Sequence, residues 1–151
     1  MTATGLKFIY RGELCITEDA YNSCSTKLMP AGTVLFTSRA PVGNVSIAMN
    51  DICTNQGFKS VIPKQDIGTA FVYFFLKESK QLIENHASGT TFMEVSGNVM
   101  KNIPAIIPKS DLASKFSALC EPIFEIQKYN ELEIGRLVAL RQAIVSSILS
   151  R

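Results

Sequence analysis

The chain has 151 residues, of which 46% are hydrophobic and 19% charged, and its formal net charge is +2 at pH 7. A chain of this length forms one compact domain, or one domain with an appended element. A charge this small does not indicate the dense lysine and arginine patch that is typical of nucleic-acid binders, so electrostatics alone do not assign that function.

The cysteines and the single histidine predict no metal site. Cys15, Cys24, Cys53 and Cys120 form no CxxC pair, and His86 is the only histidine that could accompany them. Reduced, largely buried thiols of a cytosolic protein are the simpler interpretation. The chain has no basic-then-apolar leader and no apolar run of the roughly eighteen residues that a membrane span needs, so we expect a cytoplasmic protein without membrane contact.

The N-terminal part of the chain is punctuated by glycine and proline and predicts short strands. A first strand is predicted at Leu6–Tyr10, and the polar segment Thr17–Lys27 is turn-rich without a clear period. Thr33–Thr37 and Val45–Met49 have the β-branched or alternating pattern of strands. The tight connection Ala40–Gly43 lies between them, so the pattern predicts a hairpin-like unit.

Strands and one amphipathic helix are predicted in the middle of the chain. The apolar spacing over Ile67–Glu84 is helical, and Ser88-Gly89 marks its end. The remaining predicted elements are a strand at Phe58–Ile62, an extended segment at Thr91–Val95, a short helical turn from a Ser96 cap through Met100, and an edge strand at Ile103–Ile107.

The C-terminal tail, residues 110–151, carries an apolar stripe at helical spacing and is predicted to be helical from a Ser110 cap. Pro122 lacks a backbone donor, so a break or a new first turn is predicted there, and the longest helix is Pro122–Ser150. One helix cannot bury such a stripe, and a two-fold dimer is the smallest arrangement that covers it. The residues expected to pair are Ile126, Ile134, Leu137, Leu140, Ile144 and Ile148. A β-rich part followed by a long helix predicts an α+β fold.

No motif in the chain predicts catalysis. There is no GxGxxG or Walker-type loop, so no cofactor is expected. Asp66 with Glu78 and Lys80 superficially resembles the acidic pair and lysine of metal-dependent nucleases, but Glu78 and Lys80 fall late on the predicted helix, where charges normally form the solvated face. Ser38 has no nearby histidine, and His86, two residues before Ser88, is by itself not assigned as a base.

Several short polar and glycine motifs follow one another in a recognisable order. They are Pro30–Gly43, Asn55–Phe58, Ala87–Phe92, Ile103-Pro104, Ile107-Pro108, Glu131–Leu137, Leu140-Arg141 and Leu149. In this order and spacing the sequence resembles a target recognition domain from the specificity subunit of type I restriction-modification systems. The resemblance covers roughly Ile16–Arg151.

The resemblance implies a non-catalytic DNA reader, with a recognition domain at residues 1–109 and a helical spacer and dimerisation region at 110–151. Family members usually carry two such domains, each recognising half of a split DNA site. Long antiparallel helices join the domains, fix the half-site separation and dock the methyltransferase subunits, which the restriction subunit then joins. The family's domain normally has a further stretch before the region matching Leu6–Ile16. The resemblance therefore implies a half-subunit, a silent-cassette fragment or a truncated product. Two identical half-subunits would rebuild the two-domain architecture as a homodimer.

Loops on a rigid scaffold commonly carry recognition residues, and the loop side chains here suit DNA. Arg39 can donate to guanine in bidentate fashion, amides can pair with adenine, and lysines can hold phosphates. The expected DNA-binding residues are Lys27, Ser38, Arg39, Asn44, Asn55, Gln56, Lys59, Ser88, Thr90, Thr91 and Lys101.

The same residues also fit purely structural roles. Gly43 and Gly57 suit a positive φ or a close backbone approach, Asn55 with Gln56 can satisfy backbone groups, and Thr90 can close a turn. A second function therefore stays open. In it, the chain is an interaction fragment that does not read DNA and that self-associates or docks a methyltransferase subunit through its C-terminal helix.

Overall fold

The computed structural model describes residues 6–39, 41–87 and 93–150. These ranges contain a small sheet, several short helices and one long C-terminal helix, which confirms the predicted α+β class. The strands are β1 (Phe8–Ile9), β2 (Val34–Phe36) and β3 (Val45–Ala48). The helices are α1 (Glu18–Ser23), α2 (Thr69–Glu78), α3 (Lys80–Asn85), α4 (Gly97–Lys101) and α5 (Ser110–Leu149).

The sheet has the strand order β1-β3-β2, with β3 in the centre. β2 and β3 pair antiparallel, with Val34 opposite Ile47, so the predicted hairpin-like unit is confirmed. β1 pairs parallel with β3, with Phe8 opposite Ile47. The loop between β2 and β3 ends at Gly43, whose φ of 86° a side chain would strain. The glycine is therefore needed where the chain re-enters the sheet.

Apolar residues cover both faces of this sheet. Ile9, Leu35 and Ala48 form one buried cluster, onto which partly buried apolar side chains from the flanking loops pack. Because side chains alternate along a strand, Phe36 and its neighbours at alternate positions face the other way, and α2 packs against both β2 and β3. Tyr73 of α2 is buried. The sheet thus forms the rigid centre from which the surrounding loops emerge.

The predicted helix over Ile67–Glu84 is present as two consecutive helices, α2 and α3. It begins two residues later than expected because Gly68 has a φ of 81°, outside the helical region, and acts as the N-cap. Ser79 divides the two helices, with a ψ of −2°. α3 ends at Asn85, with His86 as its C-cap, before the predicted stop at Ser88-Gly89.

Two short helices begin with side-chain caps. α4 is confirmed: the Ser96 hydroxyl accepts a hydrogen bond from the backbone N–H of Val99 at 3.2 Å. The prediction of an irregular Thr17–Lys27 segment was wrong, because α1 lies within it. The Thr17 hydroxyl accepts from the backbone N–H of Ala20, also at 3.2 Å, and two acidic residues follow in the first turn. Both features favour a helix start.

Two predicted strands are not strands in the described structure. Within Phe58–Ile62 only single bridges form, from Phe58 to Thr37 and from Val61 to Val34. The segment thus lies beside β2 without becoming a regular ladder. Residues 103–107 are coil, and the prolines at both ends of that run lack the N–H donors that a ladder requires.

Contacts divide the chain into two compact units, one ending at Ser117 and the other beginning at Ala118. α5 has 40 residues and contains Pro122 in its interior. The predicted break was therefore wrong. Proline removes one hydrogen bond, to the carbonyl of Ala118, and costs about 3 kcal/mol in a helix interior. Over the described residues, no helix combines the length and apolar character that a membrane crossing requires.

The cost of Pro122 can be offset by the many other bonds and contacts of a long helix. Replacing this proline tests that explanation. Pro122→Ala should restore the missing bond and stabilise α5, by about 2 kcal/mol after allowing for the greater freedom of the unfolded chain. Thermal unfolding followed by far-ultraviolet circular dichroism measures the effect. Glu121→Ala, at the exposed neighbouring position, is the matched control. A transition temperature no higher than that of the wild type would show that the proline costs the helix nothing.

Candidate functional site

Charged and polar side chains from three segments meet where β2 ends. We refer to them as the Arg39 cluster, which consists of Ser38, Arg39, Asn55, Gln56, Lys59 and Glu94. Backbone hydrogen bonds hold the three segments together. The N–H of Ser38 donates to the carbonyl of Gly57 at 2.8 Å, and the carbonyl of Ser38 accepts from the N–H of Val95 at 2.9 Å. A further bridge pairs Arg39 with Glu94.

One carboxylate serves two cations in this cluster. Glu94 Oε2 lies 3.0 Å from Arg39 Nε, and Glu94 Oε1 lies 3.7 Å from Lys59 Nζ. The Arg39 side chain is 47% exposed, whereas that of Lys59 is only 25% exposed. The contact with Glu94 engages Nε, and the two terminal amino groups of Arg39 are separate donors. Arg39 is therefore both anchored and accessible.

Lys59 points toward protein groups. Its Nζ donates to Ser38 Oγ at 3.3 Å and to the carbonyl of Gln56 at 3.2 Å, and it lies within ion-pair distance of Glu94. These three partners match the three donors of an ammonium group. Ser38 is fully buried. In this geometry Ser38 and Lys59 lie on the protein side of the cluster and hold its segments together. A direct DNA contact by either residue stays a prediction.

The amide residues occupy the outer side of the cluster. Asn55 Oδ1 accepts a hydrogen bond from the N–H of Gly57 at 2.9 Å, which is an Asx turn and one of the structural roles anticipated for this residue. Both Asn55 and Gln56 are exposed. Their contact with bases therefore also stays a prediction.

The loop that carries Arg39 is closed at its base by Thr37. The Thr37 hydroxyl donates to the carbonyl of Pro41 at 2.7 Å and accepts from the N–H of Asn44 at 2.9 Å. The Thr37 N–H donates to the carbonyl of Asn44 at 3.0 Å, and the Gly43 N–H donates to the carbonyl of Thr37 at 2.9 Å. Asn44 is half-buried at this closure.

The other predicted contacts lie on separate segments. Lys27 is exposed and follows Thr26, whose hydroxyl donates to the carbonyl of Thr54 at 3.0 Å, so its segment is joined to the one that carries Asn55. Lys101 is exposed at the end of α4. Ser88, Thr90 and Thr91 lie outside the described residues.

Sequence reasoning missed Glu94. Its partners are far from it along the chain, and a glutamate in a short polar segment carries no local signal of an ion pair. The Thr37 closure was missed as well, although a β-branched threonine before a turn is compatible with it. Among the described residues, no three His, Cys, Asp or Glu side chains group in a way that could hold a metal ion.

A family model described as "Type I restriction modification DNA specificity domain" matches residues 4–133. The chain belongs to this family. The resemblance noted in the sequence is therefore confirmed, and the Arg39 cluster lies within the matched region.

Two curated relatives are specificity subunits. The type I restriction enzyme MjaIX specificity subunit of Methanocaldococcus jannaschii is 36% identical over 131 residues, which cover 83% of this chain and 30% of the relative. The type I restriction enzyme HindI specificity subunit of Haemophilus influenzae is 28% identical over 132 residues, covering 85% of this chain and 29% of the relative. The chain thus spans about 30% of the length of the curated relatives it matches.

The fold also occurs in a solved structure. A chain from a study of complex assembly and conformational transition of the type I R-M system superposes with a TM-score of 0.54 at 23% sequence identity. The match covers 76% of this chain and 30% of that chain. At this identity the likeness shows a shared fold and no further detail.

Proposed function

We propose that this chain is a sequence-specific DNA recognition module of a type I restriction-modification system. The observation that carries the proposal is the specificity-domain match over residues 4–133. The module supplies specificity to methyltransferase subunits, and through them to the restriction subunit, in the cytoplasm. It performs no catalysis itself, because methyl transfer and cleavage belong to the partner subunits.

The Arg39 cluster is the proposed centre of DNA contact. Arg39 donates to guanine in the major groove through its terminal amino groups, and the exposed amides of Asn55 and Gln56 contact neighbouring bases. Lys27 and Lys101 hold phosphates, which position the domain without reading sequence. Asn44, Ser88, Thr90 and Thr91 are proposed as further DNA contacts, while Ser38 and Lys59 support Arg39.

Selection from a random duplex pool tests this function. The chain is assembled with its methyltransferase subunits, bound DNA is recovered over several rounds, and the recovered duplexes are sequenced. We expect enrichment of one sequence in two separated parts, because each recognition domain of the assembly reads one half-site. An assembly that forms but enriches no sequence would refute DNA recognition.

Arg39 should contribute to specific binding more than to general affinity. Arg39→Ala is expected to weaken binding of the enriched duplex by about 1 to 3 kcal/mol, the scale of one bidentate base contact. Binding of random duplex should change much less. Arg136→Ala is the control, since Arg136 is also exposed and pairs with a glutamate at 3.7 Å, but lies on α5. Equal losses on both duplexes would reassign Arg39 to phosphate contact or to structure.

We further propose that residues 1–109 are the recognition domain and that residues 110–151 are a spacer that pairs two copies of the chain. The exposure of the stripe on α5 supports this role. Ile126, Leu137 and Ile144 are 63%, 55% and 50% exposed. The other members of the seam are exposed to a similar degree: Ile134, Leu140 and Ile148. The helix pair also docks the methyltransferase subunits.

The same exposed stripe favours a second candidate function, an interaction fragment that self-associates or docks a methyltransferase subunit without reading DNA. The duplex selection separates the two candidates. An assembly that binds its partners through α5 and enriches no sequence would support the second one.

A further inference from the structure

Glu94 places a negative charge on the proposed DNA-binding surface, where it does not contribute to affinity for DNA. A carboxylate repels phosphates, yet this one lies between the two cations of the Arg39 cluster, at 3.0 Å from Arg39 Nε and 3.7 Å from Lys59 Nζ. The backbone bridge between Arg39 and Glu94 brings the two side chains together. The contact therefore belongs to the local fold and is not an accidental meeting of two surface side chains.

We propose that Glu94 is a specificity-determining positioning residue, which orients the Arg39 guanidinium for one base and removes Lys59 from general phosphate binding. This inference rests on the proposed DNA recognition. It adds to that function a division of roles: Arg39 contacts the base, and Glu94 makes that contact selective.

The orientation follows from the shape of the guanidinium group. The group is planar, with its donors in a fixed fork, so holding Nε fixes the plane and the direction of both terminal amino groups. A bidentate contact with guanine needs that direction. An arginine without such a partner must lose its rotamer freedom on binding, and that loss reduces the gain from the base contact.

The effect on Lys59 follows from charge. Within the cluster the carboxylate offsets one of two positive charges, and Ser38 and Gln56 take up the remaining donors of Lys59. Without the carboxylate, the positive charge of Lys59 is no longer offset and attracts any phosphate, whatever the sequence. Glu94 thus lowers affinity for random DNA while it raises the selectivity of Arg39.

Glu94→Gln removes the charge and keeps the size of the side chain. Glu84→Gln is the matched control, because Glu84 also pairs with a lysine, at 3.7 Å, and is exposed to a similar degree, 34% against 38%. The variants are assembled with the methyltransferase subunits. Dissociation constants are then measured over a salt series on the enriched duplex and on the random pool, with and without Arg39→Ala.

The Glu94→Gln assembly should bind random duplex more tightly, with a salt slope steeper by about 0.9 because one more phosphate is contacted. Its preference for the enriched duplex should fall about tenfold, within the range of one base contact. In the Arg39→Ala background, Glu94→Gln should change the random-duplex affinity but not the remaining preference. Glu84→Gln should match the wild type.

Glu94→Asp provides a second variant that separates position from charge. It keeps the charge but shortens the side chain by one methylene, so we expect a lower preference with a salt slope closer to that of the wild type. An unchanged preference in both Glu94 variants would overturn the inference. So would a loss of preference that adds fully to that of Arg39→Ala. If the wild-type assembly enriches no duplex at all, the proposed function itself fails and this inference fails with it.

Discussion

The wild-type chain is expected to be a dimer at micromolar concentration, and the Leu137→Asp, Ile144→Asp double variant to be a folded monomer. These two residues are 55% and 50% exposed on α5 and lie on one face of the helix. Burying each such side chain in a dimer interface is worth about 1.5 to 3 kcal/mol, and an unpaired charge in the same place is strongly unfavourable. Because both copies carry the double substitution, four buried apolar contacts are lost, and the dimer is strongly disfavoured.

Light scattering over a concentration series measures the mass, and circular dichroism checks that the helix content is retained. Gln142→Asp with Ser146→Asp is the matched control, because both positions are exposed on the same helix but away from the seam. A wild type that stays monomeric at hundreds of micromolar would contradict self-association. The stripe would then be the binding surface for a methyltransferase subunit instead of for a second copy of the chain.

Phe36→Ala should have the largest effect on stability. Phe36 is among the largest fully buried side chains of the described residues and lies in β2. Truncating a buried phenylalanine costs about 3 to 5 kcal/mol, a large share of the roughly 5 to 15 kcal/mol that stabilise an ordinary domain. Urea unfolding followed by tyrosine fluorescence measures the loss.

The same substitution should also loosen the Arg39 cluster. The carbonyl of Phe36 accepts the backbone N–H of Lys59 at 2.9 Å, and Arg39 lies three residues further along the same chain segment. Leu14→Ala is the control, since Leu14 is 92% exposed. A loss below about 1 kcal/mol for Phe36→Ala would mean that the sheet repacks readily around the missing ring.

The sequence predicted the elements whose causes are local. The hairpin follows from β-branched residues on either side of a turn that ends in Gly43, and α4 follows from the Ser96 cap. The start of α1 had the same kind of signal in Thr17 and the two acidic residues after it, but a six-residue helix has too little periodicity to stand out from a polar segment.

The failures concern features that depend on distant parts of the chain. Phe58–Ile62 has the composition of a strand. Whether it forms a regular ladder depends on its alignment with β2 in the folded chain, which composition does not determine. Pro122 destabilises a helix by a known free energy, but the sequence does not show whether the remaining contacts of α5 stabilise the helix enough to offset it. The members of the Arg39 cluster that the sequence anticipated are Ser38, Arg39, Asn55, Gln56 and Lys59. Glu94 joins it only through tertiary pairing, which residue type and spacing do not reveal.

The closure of the Arg39 loop has a consequence for evolution. Thr37 fastens the two ends of the loop through its hydroxyl and backbone groups, and its partners are the backbone groups of Pro41, Gly43 and Asn44. Main-chain partners are the same whatever side chains the intervening positions carry. Substitutions between Ser38 and Gly43 therefore leave the fastening in place. During evolution the exposed residues of this loop can therefore be substituted with little loss of folding stability. Such substitutions can change the preferred ligand.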